Sequence, residues 1–179
     1  QDVSWEARFE LAMVYSEQLA QHFKAGEVII NAELPEALEQ GRANRLLKLY
    51  ERLGYWVQAY ELGCHILKDG PHDCADWRLQ IITIASDKLN LQSAAGELAL
   101  AGWQAGEYSS ALLEALRRYA GAPDTCVLVA GVLEDTPLQG LDASLRQAVS
   151  AELLRVAVGA NDSELARRAA TLRGSVEPS

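Results

Sequence analysis

The chain has 179 residues, 49% of them hydrophobic, and a net charge of −9 from 16 Lys and Arg against 25 Asp and Glu. That apolar share can fill one core or a handful of stacked hairpins, so disorder is excluded as the default. The acidic balance argues against nucleic acid or an anionic membrane surface as partner, since like charges repel, and in its blandest role keeps the chain dissolved.

From Val3 to about Tyr15 the spacing predicts a helix, with Ser4 at its N-cap and Trp5, Phe9, Ala12 and Met13 on one face. The apolar pattern continues through Leu19, Phe23, Val28 and Ile30, so a turn inside this segment makes it a hairpin. Leu34-Pro35 punctuates the chain, Pro35 suits the first turn of a new helix, and Gly41 breaks or kinks that helix. The stretch Ala43 to Pro71 is the most sharply patterned. Ala43, Leu46, Leu47, Tyr50 and Leu53 share one helical face, and Gly54 interrupts it. Trp56, Ala59, Tyr60, Gly63, Ile66 and Leu67 then resume the same spacing until Gly70-Pro71 stops it. Small residues at Ala59 and Gly63 let the two helices approach closely.

The order Leu46, Tyr50, Gly54, Trp56, Ala59, Pro71 resembles the tetratricopeptide repeat, a helical hairpin of about 34 residues. The resemblance implies an array of antiparallel hairpins that binds other proteins, with first-helix side chains lining a concave groove.

After Pro71, Asp73 or Asp76 caps a helix carrying Trp77, Leu79, Ile81, Ile82, Ile84 and Ala85. Apolar residues surround it, and the run Ile81-Ile82-Thr83-Ile84-Ala85 suits a strand on composition but a helix on length. Asn90 punctuates, and Leu91, Ala94, Ala95, Leu98 and Gly102 form the next stripe, a degenerate copy of the repeat without its turn Gly. Gly106, Tyr108, Ala111 and Pro123 match the repeat's second half, whereas counting hairpins from Ala43 makes Tyr108 open a first helix. Tyr108, Ala111, Leu112, Ala115, Leu116 and Tyr119 face inward on either count. A short helix from Pro123 carries Val127, Ala130 and Leu133, and residues 136–140 form a loop. A longer helix from about Asp142 presents Leu145, Ala148, Val149 and Val156, and Asp162 or Ser163 caps a last one with Leu165, Ala166, Ala169 and Leu172. The expectation is an all-α chain of nine or ten helices, since no alternating strand pattern occurs. A right-handed superhelical array of hairpins forms a single domain over residues 1–174, with 175–179 a frayed tail. Trp56 and Trp77 are expected to be buried between hairpins.

The densest cluster of reactive side chains is Cys64, His65, His72, Asp73 and Cys74. All are zinc-ligand types, but the spacing departs from zinc fingers, and Cys64 and His65 point to different sides of one helix. Three readings stand: unrelated core and loop residues, a Cys64–Cys74 disulfide, or a metal site. No glycine-rich phosphate loop and no Gly-x-Ser-x-Gly elbow occurs, and His22 reads as a lone exposed histidine. No catalytic residue, cofactor or metal is therefore assigned.

One polar feature rises above its surroundings. Asn44, Lys48 and Arg52 recur every four residues opposite the apolar stripe, with Arg45 beside them. As a partner-binding face they suit an acidic or carbonyl-rich protein segment. The order of Asn44 and Lys48 is the reverse of the resembled family's carboxyl-terminus clamp, and the plain alternative is a solvated helix face. The leading functional expectation is a non-catalytic interaction module, a scaffold or adaptor within a larger protein or a secretion or export assembly. The alternative is a regulatory or chaperone domain holding one partner, and an enzyme on a helical scaffold comes third. No apolar run approaches the ~20 residues that span a bilayer. The start at Gln1, with no leader visible, reads as a processed chain or part of a longer one, and cytoplasmic and exported locations both stay open.

Overall fold

A computed structural model describes residues 4–30, 32–35, 38–69, 75–160 and 163–176. It contains ten α-helices and no strand among the described residues. They are α1 (Trp5–Met13), α2 (His22–Ile29), α3 (Gln40–Leu53), α4 (Trp56–Asp69), α5 (Ala75–Thr83), α6 (Gln92–Gln104), α7 (Ser110–Tyr119), α8 (Pro123–Glu134), α9 (Ala143–Gly159) and α10 (Ser163–Val176). The odd-numbered helices begin at a nearly constant spacing of about 35 residues. Residues 1–77 with 87–89 form one compact unit and residues 78–86 with 90–179 a second.

In the first unit α1 packs on α2, α2 on α3 and α3 on α4. Ser4 caps α1 as its sequence position predicts, its hydroxyl accepting from the Ala7 amide at 3.3 Å. The turn that the sequence left unplaced lies at residues 19–21, where α1 widens into a π-helical turn, Val14–Gln18, and Ala20 turns left-handed at φ 52°. Residues 32–35, 38 and 39 are irregular, so among the described residues Pro35 opens no helix; α3 starts at Gln40, and Gly41 sits in its first turn. Gly54 closes α3 with φ 71°, the conformation glycine adopts without strain. Ala43, Leu46, Leu47 and Tyr50 are buried as the stripe predicts, and so are Ala59 and Gly63 on α4.

In the second unit α6 packs on α7 and α8, α7 on α8 and α9, and α9 on α8 and α10. Within this unit α6 and α7 each meet both the next helix and the one after it. The run from Ile81 is helical, passing into a second π-helical turn, Ile84–Lys88. The turn that lacks glycine uses Asn90 instead, at φ 56°. Tyr108 lies in the connection just before α7. Ala111, expected inward, and Ala148, expected on the face of Leu145 and Val149, are exposed, and Leu113 takes an inward place on α7. Asp142 caps α9 by accepting from the Leu145 amide at 2.9 Å.

The two halves of the chain share a register that single-window periodicity does not reveal. Seventy residues separate Ser16 from Ser86, Leu19 from Leu89, and Ala25-Gly26-Glu27 from Ala95-Gly96-Glu97. The same offset relates the two π-helical turns, the left-handed residues Ala20 and Asn90, and the 2.7 Å amide bonds from Gln21 to the Tyr15 carbonyl and from Leu91 to the Ala85 carbonyl. The paired glycines do the same work. A Cβ on Gly26 would lie 2.6 Å from Leu53 Cδ1, and one on Gly96 would overlap the Tyr119 ring. In both places an even-numbered helix meets the C-terminal end of the next odd-numbered helix closely; at Gly96 the overlap with the Tyr119 ring and Cβ leaves no room for a side chain, whereas at Gly26 the flexible end of Leu53 would have to shift.

The tryptophans divide by burial. Trp77 is 5% exposed, as expected, but Trp56 is only half-buried, with the Lys88 ammonium 5.1 Å from its ring centroid. The largest fully buried side chain is Trp103 on α6, whose indole N–H donates to Thr136 Oγ1 at 2.8 Å while Tyr108 meets its ring edge-on at 5.2 Å. Trp103→Ala should cost about 3–5 kcal/mol in denaturant unfolding, against about 1–2 kcal/mol for Trp56→Ala. Equal costs would contradict this division.

Tyr50 gives a second test. Burial, with Glu61 adding to it, pushes its phenol up to about 12. The neutral phenol is then favoured by folding, so this contribution is fully present below about pH 10 and is lost as pH rises towards about 12. The wild type should lose up to about 3 kcal/mol more than Tyr50→Phe across that window in pH-dependent unfolding. Parallel curves would contradict the burial of Tyr50.

Candidate functional site

The odd-numbered helices hold most of the chain's cations. With their π-helical continuations they carry eleven of the 16 Lys and Arg but only eight of the 25 Asp and Glu. They are therefore net positive by three charges in a chain of net charge −9. The even-numbered helices and the connections supply the acidic excess.

On α3 the predicted line stands partly as expected. Asn44, Lys48 and Arg52 are exposed, because α3 turns Leu46, Leu47 and Tyr50 inward. Arg45 differs. It is half-buried, donates through Nε and Nη2 to the two Glu17 oxygens at 2.9 and 2.7 Å, and stacks 5.4 Å from the Phe9 ring centroid. These paired hydrogen bonds lower the Glu17 carboxyl below its ordinary value and raise the Arg45 guanidinium. Arg45 thus ties α3 to the end of α1, while Lys48 and Arg52 remain at the surface.

Two similar ion pairs occur in the second unit. Arg78 on α5 donates through Nε and Nη2 to the Glu107 oxygens at 2.8 and 3.2 Å, with both side chains largely buried. On α9 the carboxylate of Glu152, only 8% exposed, accepts from Arg155 Nε at 2.8 Å and lies 3.9 Å from Arg117 on α7. The Glu152 contact raises the Arg155 guanidinium. Between α7 and α9 runs a groove of about 450 Å³, with Leu113, Ala148 and Ala151 as its apolar lining and Arg117, Arg155 and Glu114 among its charged groups. The sequence reading missed this groove because its walls come from helices about 35 residues apart and only their packing brings them together.

The cysteine and histidine cluster resolves in part. Cys64 is half-buried, and His65 Nε2 lies 3.0 Å from the Pro35 carbonyl. His72, Asp73 and Cys74 lie outside the described residues, so the Cys64–Cys74 disulfide lies outside them too. No group of three metal-ligand side chains occurs among the described residues. His22 is not the lone exposed histidine the sequence suggested. It is half-buried, with Nδ1 3.0 Å from the hydroxyl of buried Ser16. Seventy residues on, Gln92 occupies the same place and donates to the Ser86 carbonyl at 3.2 Å, so the position closes the hairpin turn in both halves. No described helix is long and apolar enough to cross a membrane.

Neither the family models, nor the curated proteins, nor the solved structures contain a match to this chain.

The Glu152 carboxylate offers a test of the site's scaffold. Arg155→Ala leaves it buried with only the longer Arg117 contact, and should cost about 2 kcal/mol in denaturant unfolding. Substituting Glu152→Gln in the Arg155→Ala background should recover part of the loss. No recovery would mean that Arg155 acts through packing instead.

Proposed function

We propose that this chain is a non-catalytic protein-interaction module, a scaffold or adaptor of tetratricopeptide type, that takes an acidic segment of a partner protein on α3. The observation that carries the proposal is the segregation of charge: an acidic chain that gathers its cations on one class of helix. Such a face steers a negatively charged segment and orients it, more than it adds raw affinity. The spacing of about 35 residues between hairpins supports the tetratricopeptide type, because that repeat has a period of about 34 residues. Asn44, Lys48 and Arg52 supply a donor line on α3, with Arg45 holding that helix to α1.

The test is a Lys48→Glu, Arg52→Glu double variant. Both side chains are exposed, so the variant should melt like the wild type. Partners recovered from the source organism by affinity capture should bind it at least about tenfold more weakly, roughly 1.4 kcal/mol, and wild-type binding should weaken as salt rises. Unchanged affinity at low salt would place the partner elsewhere. A single stoichiometric partner would favour a chaperone or regulatory role over a scaffold.

A further inference from the structure

Two rows seventy residues apart occupy matching positions and differ in exposure. On α5 and its π-helical continuation the row Trp77, Ile81, Ile84 is 5%, 0% and 3% exposed. The matching row on α1 and its continuation is Ala7, Leu11, Val14. There Ala7 is exposed, Leu11 is 46% exposed and Val14 36%. Phe23 on α2, at 66%, and Leu19 in the turn, at 51%, add apolar surface to the same hairpin. The first hairpin therefore leaves open a row that its counterpart keeps covered.

We infer that this row is a docking face for a second copy of the chain, which lays its α10 across it. Residues spaced four and then three apart form a straight ridge on a helix, and the natural complement of such a ridge is another helix. Charge selects which helix. Glu6 and Glu10 stand exposed beside Ala7 and Leu11, and Glu27 is exposed on α2. Helix α10 carries Arg167 and Arg168, whereas every other even-numbered helix carries one cation or none; Arg167 pairs with Glu164 and Arg168 with Glu134 at the surface, where an ion pair is worth little and can be exchanged for one with another carboxylate. The Arg167 side chain is 75% exposed, and Ala170 in the next turn is exposed and small enough for a close helix approach. The contact joins two different surfaces, so it is heterologous and extends into a ring or an open filament. It is independent of the acidic-partner reading, which rests on Lys48 and Arg52.

Sedimentation velocity on the full chain at low salt tests the inference. Average mass should rise with concentration up to about 200 µM, and Leu11→Glu with Val14→Glu should weaken the association at least about tenfold. Both residues are exposed, so circular dichroism and melting should stay at wild-type values; the milder Leu11→Ala, Val14→Ala pair covers the case in which they do not. Glu10→Lys and Arg167→Glu should each weaken association, and the two together in one chain should restore it. A monomer at every concentration, association indifferent to Leu11 and Val14, or a charge exchange that restores nothing would each overturn the inference.

Discussion

Close approach of helices is the constraint on which the rest of this structure depends. Short helices cannot bury their apolar faces alone, so within each unit they press against one another. At Gly96 the pressing is so tight that a single added carbon would overlap the Tyr119 ring, and at Gly26 it would displace the end of the Leu53 side chain. Those contacts fix where an even-numbered helix meets the following odd-numbered one. Closely spaced backbones exclude water, which lets Leu46, Leu62, Leu112 and Leu116 reach complete or nearly complete burial.

The same packing decides the fate of the charged side chains. Odd-numbered helices within a unit come near enough for Arg45 to reach Glu17 and for Arg117 to face Glu152. A cation with such a partner becomes part of the framework, and Arg155 on Glu152 is the clearest case because the carboxylate is almost wholly buried. Lys48 and Arg52, one and two turns further along α3 than Arg45's neighbour Asn44, point to solvent instead. The difference is positional, since all three cations belong to one helix and one net-positive set. This is why charge segregation supports an interaction surface more strongly than any single residue does.

The π-helical turns show how one local solution serves twice. A widened last turn followed by a left-handed residue reverses the chain at Ala20 and again at Asn90, and a polar side chain at His22 or Gln92 closes each reversal. Alanine at φ 52° is uncommon, because its Cβ crowds the backbone there. Its tolerance at residue 20 reflects the surrounding turn, where the Gln21 amide is held to the Tyr15 carbonyl at 2.7 Å.

The sequence by itself determined the helical class, most helix boundaries, the Gly54 turn and the stripe Ala43, Leu46, Leu47, Tyr50, because these follow from local periodicity, capping and glycine's backbone freedom. It also carried the 70-residue register, in Ser16 with Ser86 and Ala25-Gly26-Glu27 with Ala95-Gly96-Glu97, although only the paired turns make that register evident. Of the candidate site it determined the line Asn44, Lys48 and Arg52, since residues four apart align on any helix. Only the tertiary structure decided that Arg45 is bound to Glu17, that Trp103 is buried while Trp56 is not, and that α7 and α9 enclose a groove. Each of those depends on which residue far along the chain comes within a few ångströms. Helical periodicity says which way a side chain points, but not what waits there.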